Sequence, residues 1–180
     1  THPSHKKIAM IVPNLADKFS CRKARYARLW LNFFPIRSCF GRHETLDNVM
    51  LAIASGSLIP MFVFDTIGLM DTSLCIDNVD YDFCLRILRA NHSIIAVRGA
   101  VLHHALGHCE DHHIAGMRVT TTNHSPMRRY YIYRNRLRLR RKHGATIPAY
   151  VVLDSCAIVY DLFKIATFEK QKRIKFRAIV

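Results

Sequence analysis

The fold is decided by the segment Ser55–Arg86, which reads SGSLIPMFVFDTIGLMDTSLCIDNVDYDFCLR. Proline suits the first turn of a helix and glycine suits its C-terminal end, so Pro60 and Gly68 predict a helix over Pro60–Ile67. A second helix is predicted over Asp77–Asn91, because apolar side chains recur there at the spacing of one helix face. The segment therefore predicts two consecutive helices that follow a turn of small residues.

Three carboxylates, Asp77, Asp80 and Asp82, fall within six residues at the start of the second helix. The helix dipole and free N–H groups favour acidic side chains at this position, and such a capping role accounts for one of the three. Crowded carboxylates also repel one another, which raises their pKa values and suits one of them to act as a general base. The cluster is therefore a candidate catalytic site.

Outward from this segment, apolar runs and turn residues divide the chain into alternating strands and helices. Gly99 is expected to interrupt a strand, and an α/β fold class follows from the alternation. The sequence predicts strands over Ile8–Val12, Ala27–Phe34, Ser93–Val97 and Ala100–His104, loops over Phe40–Asp47 and Gly107–Asn123, and helices over Pro126–His143 and Pro148–Phe168.

The composition is that of a globular protein, with 50% hydrophobic and 22% charged residues and a net charge of +14. Charge is segregated, because residues 1–42 sum to +8, residues 43–117 to −6 and residues 118–180 to +12. No apolar run reaches the length of about 18 residues that a transmembrane helix needs. The six cysteines form no CxxC pair, which predicts reduced thiols and a cytosolic protein.

The order of these motifs resembles that of family 2 glycosyltransferases, and within them the bacterial rhamnosyltransferase-like branch. The resemblance is strongest over residues 55–143 and covers roughly residues 8–168. It rests on Ser55-Gly56-Ser57-Leu58-Ile59, Phe64, Ile67-Gly68, Ile76-Asp77, Val79-Asp80, Cys84-Leu85-Arg86, Val101 to Gly107, His124-Ser125-Pro126, Arg129-Tyr130-Tyr131 and Arg134-Asn135.

The resemblance implies the C-terminal portion of a GT-A, Rossmann-like domain with a mixed sheet, followed by C-terminal helices. Residues 1–125 would form the acceptor side of the catalytic domain, and residues 126–180 basic and amphipathic helices. In the family, a nucleotide-binding half with a DxD metal motif precedes this region. The chain is therefore expected to be a fragment that is inactive by itself, the alternative being a processed natural domain.

In the family, an inverting sugar transfer needs a base for the acceptor hydroxyl, and Asp80 matches the family's catalytic carboxylate. Asp77 is the second candidate for the base, or a ligand for acceptor hydroxyls. Asp82 matches a usually acidic position that contacts acceptor or metal, with a helix N-terminal acid as the alternative. His104 matches a family histidine that ligates a divalent metal, Mg²⁺ or Mn²⁺ in the full-length enzyme, or contacts the diphosphate, the alternative being a structural histidine at the end of a strand.

Substrate contacts are also implied for two further groups of residues. The turn Ser55, Gly56 and Ser57 would place backbone N–H groups near the acceptor or donor sugar, unless it is a plain turn. Arg129 and Arg134 would approach the donor diphosphate or anchor the helix that carries them. For each arginine a surface or packing role is the alternative.

The function implied is transfer of rhamnose or a similar hexose from a nucleotide-sugar to a polysaccharide or lipid-linked acceptor in cell-surface polysaccharide synthesis. The cationic helix Pro126–His143 and the basic segment Lys164–Arg177 flank an apolar stretch, which is typical of attachment to an anionic bilayer. We therefore expect a cytoplasmic protein held peripherally at the inner face of the bacterial plasma membrane.

Two other functions remain open from the residues alone. The net charge of +14 and the Arg- and Tyr-rich helix are compatible with a nucleic-acid-binding module, although no zinc finger, RNP motif or KH loop accompanies them. The segment His103–His113, HHALGHCEDHH, holds enough donors for a metal site without a clear structural-zinc spacing. The acidic IDNVD step beside CLR favours glycosyl transfer, with no nucleic-acid partner.

Overall fold

The computed structural model describes residues 6–17, 25–31, 34–104, 110–114 and 117–179. Along these residues five strands are followed by two α-helices and three further strands, and three α-helices make up the last third of the chain. The strands are β1 (Ile8–Asp17), β2 (Tyr26–Trp30), β3 (Phe34–Ser38), β4 (Thr45–Leu46), β5 (Val49–Leu51), β6 (Ser93–His104), β7 (Glu110–Ile114) and β8 (Met117–Thr121). The helices are α1 (Met61–Ile67), α2 (Val79–Arg89), α3 (Pro126–His143), α4 (Pro148–Thr167) and α5 (Lys172–Ile179).

A mixed three-stranded sheet in the order β1-β6-β4 forms the centre of the fold. β1 lies parallel to β6, and the short β4 pairs antiparallel with the other edge of β6. The parallel pairing requires a long crossover, which the segment containing α1 and α2 supplies. The predicted α/β class with a mixed sheet and C-terminal helices is therefore confirmed.

The predicted interruption at Gly99 is an irregularity within one continuous strand. β1 advances one residue, from Pro13 to Asn14, while β6 advances from Val97 to Val101. Arg98 leaves the β1 ladder and donates its backbone N–H to the carbonyl of Glu44 at 2.8 Å. Proline offers no N–H to a neighbouring strand, so the bulge falls where pairing is weakest.

A second sheet of three antiparallel strands, in the order β3-β2-β5, replaces the single strand predicted over Ala27–Phe34. Trp30 pairs with Phe34 at the end of the β2–β3 hairpin. Leu31 adopts a φ of 50°, which turns the chain within a run that is mostly apolar. Periodicity alone does not detect such a turn, because the turn-favouring residue beside Leu31 in the sequence, Asn32, stands among large apolar residues.

The predicted loop Gly107–Asn123 is also wrong, since its described residues form the antiparallel hairpin β7–β8. Cross-strand polar pairs hold it: Thr120 Oγ1 donates to Asp111, and His112 Nε2 lies 3.0 Å from Thr121 Oγ1. The His112 ring also stacks on Phe168 at a centroid distance of 4.5 Å. Cross-strand side-chain pairs therefore stabilise strands whose sequence is mostly polar.

One apolar cluster joins the mixed sheet to the first two helices. Val63 of α1 and Phe83 and Ile87 of α2 are fully buried against Ala9 and Ile94 of the central strands. Packing of one apolar helix face on the sheet is what fixes the direction of α2. The cluster therefore determines where the acidic residues at the start of α2 are placed.

A second apolar cluster joins α2 and the β2–β5 sheet to the C-terminal helices. Leu139 of α3 and Tyr150 of α4 are 1% exposed and pack with Met50 and Leu85. Ser125 caps the start of α3 by accepting the backbone N–H of Arg128. The bounds of α3 match the prediction, and α4 ends one residue before Phe168.

No helix within the described residues is long and apolar enough to cross a membrane. The four described cysteines, Cys39, Cys75, Cys84 and Cys156, are free thiols, as their spacing predicts.

Candidate functional site

The segment that leads into α2 has an unusual backbone. Cys75, Asp77 and Asn78 adopt φ values of 62°, 62° and 64°, which lie in the left-handed region. Non-glycine residues in this region cost free energy and persist only where surrounding contacts hold them. We call residues 75–78 the acidic turn, and its conformation raises the question of what holds it.

The side chain of Asn135, on α3, holds the acidic turn in place through hydrogen bonds. Asn135 is fully buried, and its Nδ2 lies 2.7, 2.8 and 2.9 Å from the carbonyl oxygens of Leu74, Ile76 and Asp77. Arg134 adds donation from Nη2 to the Leu74 carbonyl at 3.2 Å and to the Asn135 side-chain oxygen at 2.9 Å. Helix α3 therefore fixes the turn through polar groups rather than apolar packing.

Asp77 is engaged by a neighbouring cation on α3. Arg128 donates from Nε and Nη2 to the two carboxylate oxygens at 2.8 and 2.9 Å, a bidentate pair. His124 lies close by, and burial together with the charges of Arg128 and Arg129 lowers its pKa. Since both oxygens of Asp77 are occupied, this side chain is the weaker of the two candidates for a base.

Asp80 lies in the first turn of α2 and is half-buried. Burial raises the pKa of Asp80, a hydrogen bond from the backbone of Ala54 opposes the rise, and the charge of Asp77 adds to it. A carboxylate of raised pKa that still reaches solvent has the properties of a proton acceptor. The structure thus brings Asp77 and Asp80 close enough to interact electrostatically.

The turn Ser55, Gly56 and Ser57 continues directly from Ala54. Ser57 donates both its backbone N–H and its hydroxyl to the Ala54 carbonyl, at 3.0 and 2.6 Å. Gly56 has a φ of 69°, and a Cβ there would lie 3.1 Å from the Leu102 side chain. The turn therefore requires glycine, and it lies beside the residue that contacts Asp80.

Asp82 points away from this site into the protein interior. It is 0% exposed, with His143 Nε2 at 2.8 Å and Lys142 Nζ at 2.9 Å from Oδ1, and Arg86 Nε at 2.9 Å from Oδ2. Burial raises its pKa, but hydrogen bonds from His143 and Lys142 outweigh burial and lower the pKa to about 2. The structure places Asp82 in a buried ion cluster, separate from Asp80.

The CLR motif is likewise part of the framework. Cys84 and Leu85 are 0% exposed. Arg86 donates to the carbonyls of Ile67 and Leu69 at 2.6 and 2.8 Å, at the C-terminal end of α1. The motif therefore joins α1 to α2 and explains why arginine follows two apolar residues.

Arg129 belongs to a buried ion network between α3, α4 and α5. Its guanidinium is 2% exposed and donates to Asp161 and to Glu169, while Lys175 Nζ donates to Glu169 at 2.9 Å and to Asn123 at 2.7 Å. Arg134 is bound to backbone carbonyls, as described above. Both arginines that were predicted to contact substrate thus make protein contacts.

A cavity of about 540 Å³, which we call the outer chamber, opens beside the acidic turn. Cationic and aromatic side chains from α3 and α4 face Asp77 across it, so it offers charged and stacking contacts to a ligand. Asp80 is not among its lining residues. The polar and aromatic lining includes Arg37, Asp77, His124, Arg136, Tyr160 and Lys164.

His104 ends β6, and its side chain lies outside the described part of the structure, as does His108. His112 and His113 are consecutive on β7, so their side chains point to opposite faces. Within the described residues, no group of three or more His, Cys, Asp or Glu side chains is placed to hold a metal ion.

Sequence reasoning missed the positioning role of Asn135 and His143. Both lie on one stripe of α3 with Ile132 and Leu139, at spacings of three and four residues. Asn135, Leu139 and His143 are buried. A polar residue on the buried face of an otherwise cationic helix was the available signal.

Comparison with known proteins finds similarity to a rhamnosyl transferase. The sequence is similar to the dTDP-rhamnosyl transferase RfbF of Shigella flexneri, with 37% identity over 117 residues. The aligned region is 65% of this chain and 38% of that protein, so it spans little more than a third of the relative's length. No protein-family model matches the sequence, and no solved structure does.

Proposed function

We propose that this chain is the acceptor side of an inverting GT-A glycosyltransferase that uses dTDP-rhamnose as donor. The similarity to the Shigella flexneri rhamnosyl transferase supports the class of reaction and the nucleotide-sugar donor. One structural observation carries the catalytic assignment: Asp80 is half-buried, has a raised pKa and lies between the acidic turn and the turn of Ser55–Ser57.

In the proposed reaction, Asp80 accepts the proton of the acceptor hydroxyl. The hydroxyl oxygen attacks the anomeric carbon of rhamnose from the face opposite the diphosphate, forming the new glycosidic bond. The bond from that carbon to the diphosphate oxygen breaks, and dTDP leaves with both electrons. Positive charge near the leaving group lowers the barrier, and Lys164 in the outer chamber is a candidate to supply it.

Asp77 then has a supporting role. Its ion pair with Arg128 and the contact of its carbonyl with Asn135 hold the acidic turn in place. Its negative charge also helps to keep the pKa of Asp80 raised. Asp77 is therefore a positioning residue in this proposal, and its carboxylate remains near enough to the chamber to meet an acceptor hydroxyl.

A divalent metal remains part of the proposal for the full-length enzyme, since the resemblance implies Mg²⁺ or Mn²⁺. The described residues do not fit a complete site, because no three suitable donors converge. The reaction above is accordingly written through side chains of this chain alone, and His104 stays a proposed ligand.

The ion pairs and hydrogen bonds made by the Lys and Arg side chains of α3 favour glycosyl transfer over nucleic-acid binding. Seven of the eight have a carboxylate or carbonyl partner, so the helix is an internal ion-paired framework more than a basic surface. These seven are Arg128, Arg129, Arg134, Arg136, Arg138, Arg140 and Lys142.

A transfer assay tests the catalytic assignment. Residues of this chain replace the segment of the Shigella flexneri relative with which they align, and transfer from dTDP-rhamnose to a lipid-linked glycan extract is measured. We expect Asp80→Asn to reduce transfer by about 100- to 10,000-fold, the contribution of a general base. Asp65→Asn, on the exposed face of α1, is the matched control and should leave transfer unchanged. Comparable turnover by the Asp80→Asn chimera would eliminate this base.

We also propose peripheral attachment at the inner face of the bacterial plasma membrane, where a lipid-linked acceptor would reside. The exposed cations around α5, Lys170, Lys172 and Arg173, flank the 56% exposed Ile174, a pattern suited to an anionic bilayer surface. The chain should cosediment with vesicles that contain anionic phospholipid and dissociate in high salt. Equal binding to neutral vesicles would contradict the electrostatic part of the proposal.

A further inference from the structure

A second cavity lies deeper than the outer chamber, between α4, α2 and the β2–β3 hairpin. It has a volume of about 150 Å³, and we call it the inner chamber. The two chambers are adjacent, because five residues line both of them. Their shared lining residues are Arg37, Tyr81, Arg136, Leu153 and Ala157.

Two residues that line the inner chamber each carry a buried polar atom with no hydrogen-bond partner within the described residues. Tyr150 is 1% exposed and Asp154 is 6% exposed, yet neither the Tyr150 hydroxyl nor Asp154 Oδ2 has a hydrogen bond, and Oδ2 has only the long ion pair with Arg140. The other oxygen of Asp154 accepts from Arg136 Nε at 2.8 Å, while Arg140 Nη1 is 3.8 Å from Oδ2. A buried polar group without a partner costs about 1–3 kcal/mol, so a missing partner is expected here.

The chemistry of these two atoms selects the partner. Asp154 Oδ2 needs a hydrogen-bond donor, and the Tyr150 hydroxyl can donate or accept. At Asp154 Oδ2 an anion would be repelled by the carboxylate, and an apolar group would leave both atoms without a hydrogen bond. Vicinal hydroxyl groups supply a donor and an acceptor at adjacent atoms, and Arg37 and Tyr81 offer a further donor and an aromatic face. Ordered water is the competing occupant, with room for about five molecules.

We propose that the inner chamber binds one pyranose unit of the acceptor glycan, with one sugar hydroxyl donating to Asp154 Oδ2 and another pairing with the Tyr150 hydroxyl. This inference rests on the proposed function, because it places part of the acceptor in the chamber. The rest of the glycan would leave through the outer chamber, past Asp77. Tyr150 and Asp154 are then binding residues that select the acceptor and take no part in proton transfer.

Sugar binding to the full 180-residue chain tests this inference without any donor. The probes are the methyl pyranosides of rhamnose, glucose, galactose and N-acetylglucosamine, observed by saturation-transfer NMR. At least one should bind with a dissociation constant of about 1–10 mM, as expected for a single small ligand. Tyr150→Phe and Asp154→Asn should each weaken binding about three- to tenfold, the value of one hydrogen bond.

Tyr150→Phe is the decisive variant, because the hydroxyl it removes has no protein partner and the fold should be retained. Tyr130→Phe, on the exposed face of α3, is the matched control and should leave binding within about twofold. Absence of binding by all four pyranosides, or equal binding by wild type and Tyr150→Phe, would show that the chamber holds water only.

The outcome is distinguishable from failure of the proposed function. If the chain binds a pyranoside through Tyr150 but the chimera transfers no rhamnose, the carbohydrate subsite is supported and the transfer reaction is refuted. If the chimera transfers rhamnose and its acceptor KM is unchanged by Tyr150→Phe, the transfer reaction is supported and the subsite is refuted.

Discussion

Replacement of Asn135 by leucine should release the acidic turn. The amide nitrogen of Asn135 has two hydrogens and serves three carbonyl oxygens, those of Leu74, Ile76 and Asp77. Leucine has a similar volume and leaves α3 intact, so the substitution removes the hydrogen bonds without opening a large cavity. The Asp77 backbone, in its left-handed conformation, then loses a contact that holds it.

The expected loss of stability depends on which of the three carbonyls still has a hydrogen-bond donor after Asn135 is replaced. Leu74 still accepts from the backbone N–H of Ile76 at 2.7 Å and from Arg134 at 3.2 Å. The carbonyls of Ile76 and Asp77 lose the side-chain donor, and an orphaned buried acceptor costs about 1–3 kcal/mol. Because the turn is partly exposed, water compensates in part, and we expect a loss of about 2–3 kcal/mol.

Urea unfolding followed by far-UV circular dichroism measures this loss as a shift of the midpoint at constant m-value. Arg141→Ala, an exposed change on the same helix, should alter the free energy of unfolding by less than about 0.5 kcal/mol. A loss below about 0.5 kcal/mol for Asn135→Leu would refute the view that this side chain holds the acidic turn.

Three further predictions concern ionisable groups. The folded pKa of Asp82, about 2, lies below its ordinary value of 3.8, so its stabilisation is present above that value and is lost as the pH falls through 2. The gap in unfolding free energy between wild type and Asp82→Asn should narrow by about 2 kcal/mol from pH 5 to pH 2, and a constant gap would contradict this. The charged form of Asp80 should instead lower the free energy of unfolding, because the pKa of Asp80 is raised in the folded protein. Asp80→Asn should therefore raise the urea midpoint at pH 7, and the difference from wild type should disappear at low pH. A lowered midpoint at pH 7 would contradict this prediction. Glu169→Ala removes the carboxylate that Arg129 and Lys175 share, while both cations stay buried. Thermal unfolding should show that the free energy of unfolding falls by about 3–5 kcal/mol. A decrease of less than about 1 kcal/mol would rule out a buried ion network.

The helices were predictable from sequence because their signals are local. Pro60 and Gly68 bracket α1, and Ser125 followed by proline starts α3, so the bounds of both helices agree with the sequence to within a residue. The β2–β3 and β7–β8 hairpins were not predictable. The first lies in a run that is apolar on both sides of its turn, and the second consists of polar strands stabilised by cross-strand pairs.

For the candidate site, sequence identified the acids but not their partners. Spacing in the chain places Asp77, Asp80 and Asp82 together, yet the helix turns Asp82 towards His143 and Lys142 and leaves Asp80 beside Ala54. Residues two apart on a helix do not face each other, so a cluster in sequence becomes two environments in space.

By itself the sequence determined the α/β class, the helices α1 to α4 and the acidic segment, because capping, helical periodicity and charge are properties of neighbouring residues. Tertiary structure alone decided which carboxylate is buried among cations and which is left with a raised pKa. It also decided that an asparagine about 60 residues away holds the acidic turn that precedes α2. The physical reason is that desolvation and hydrogen bonding depend on which groups meet in space, and those groups come from α2, α3 and the segment before α1.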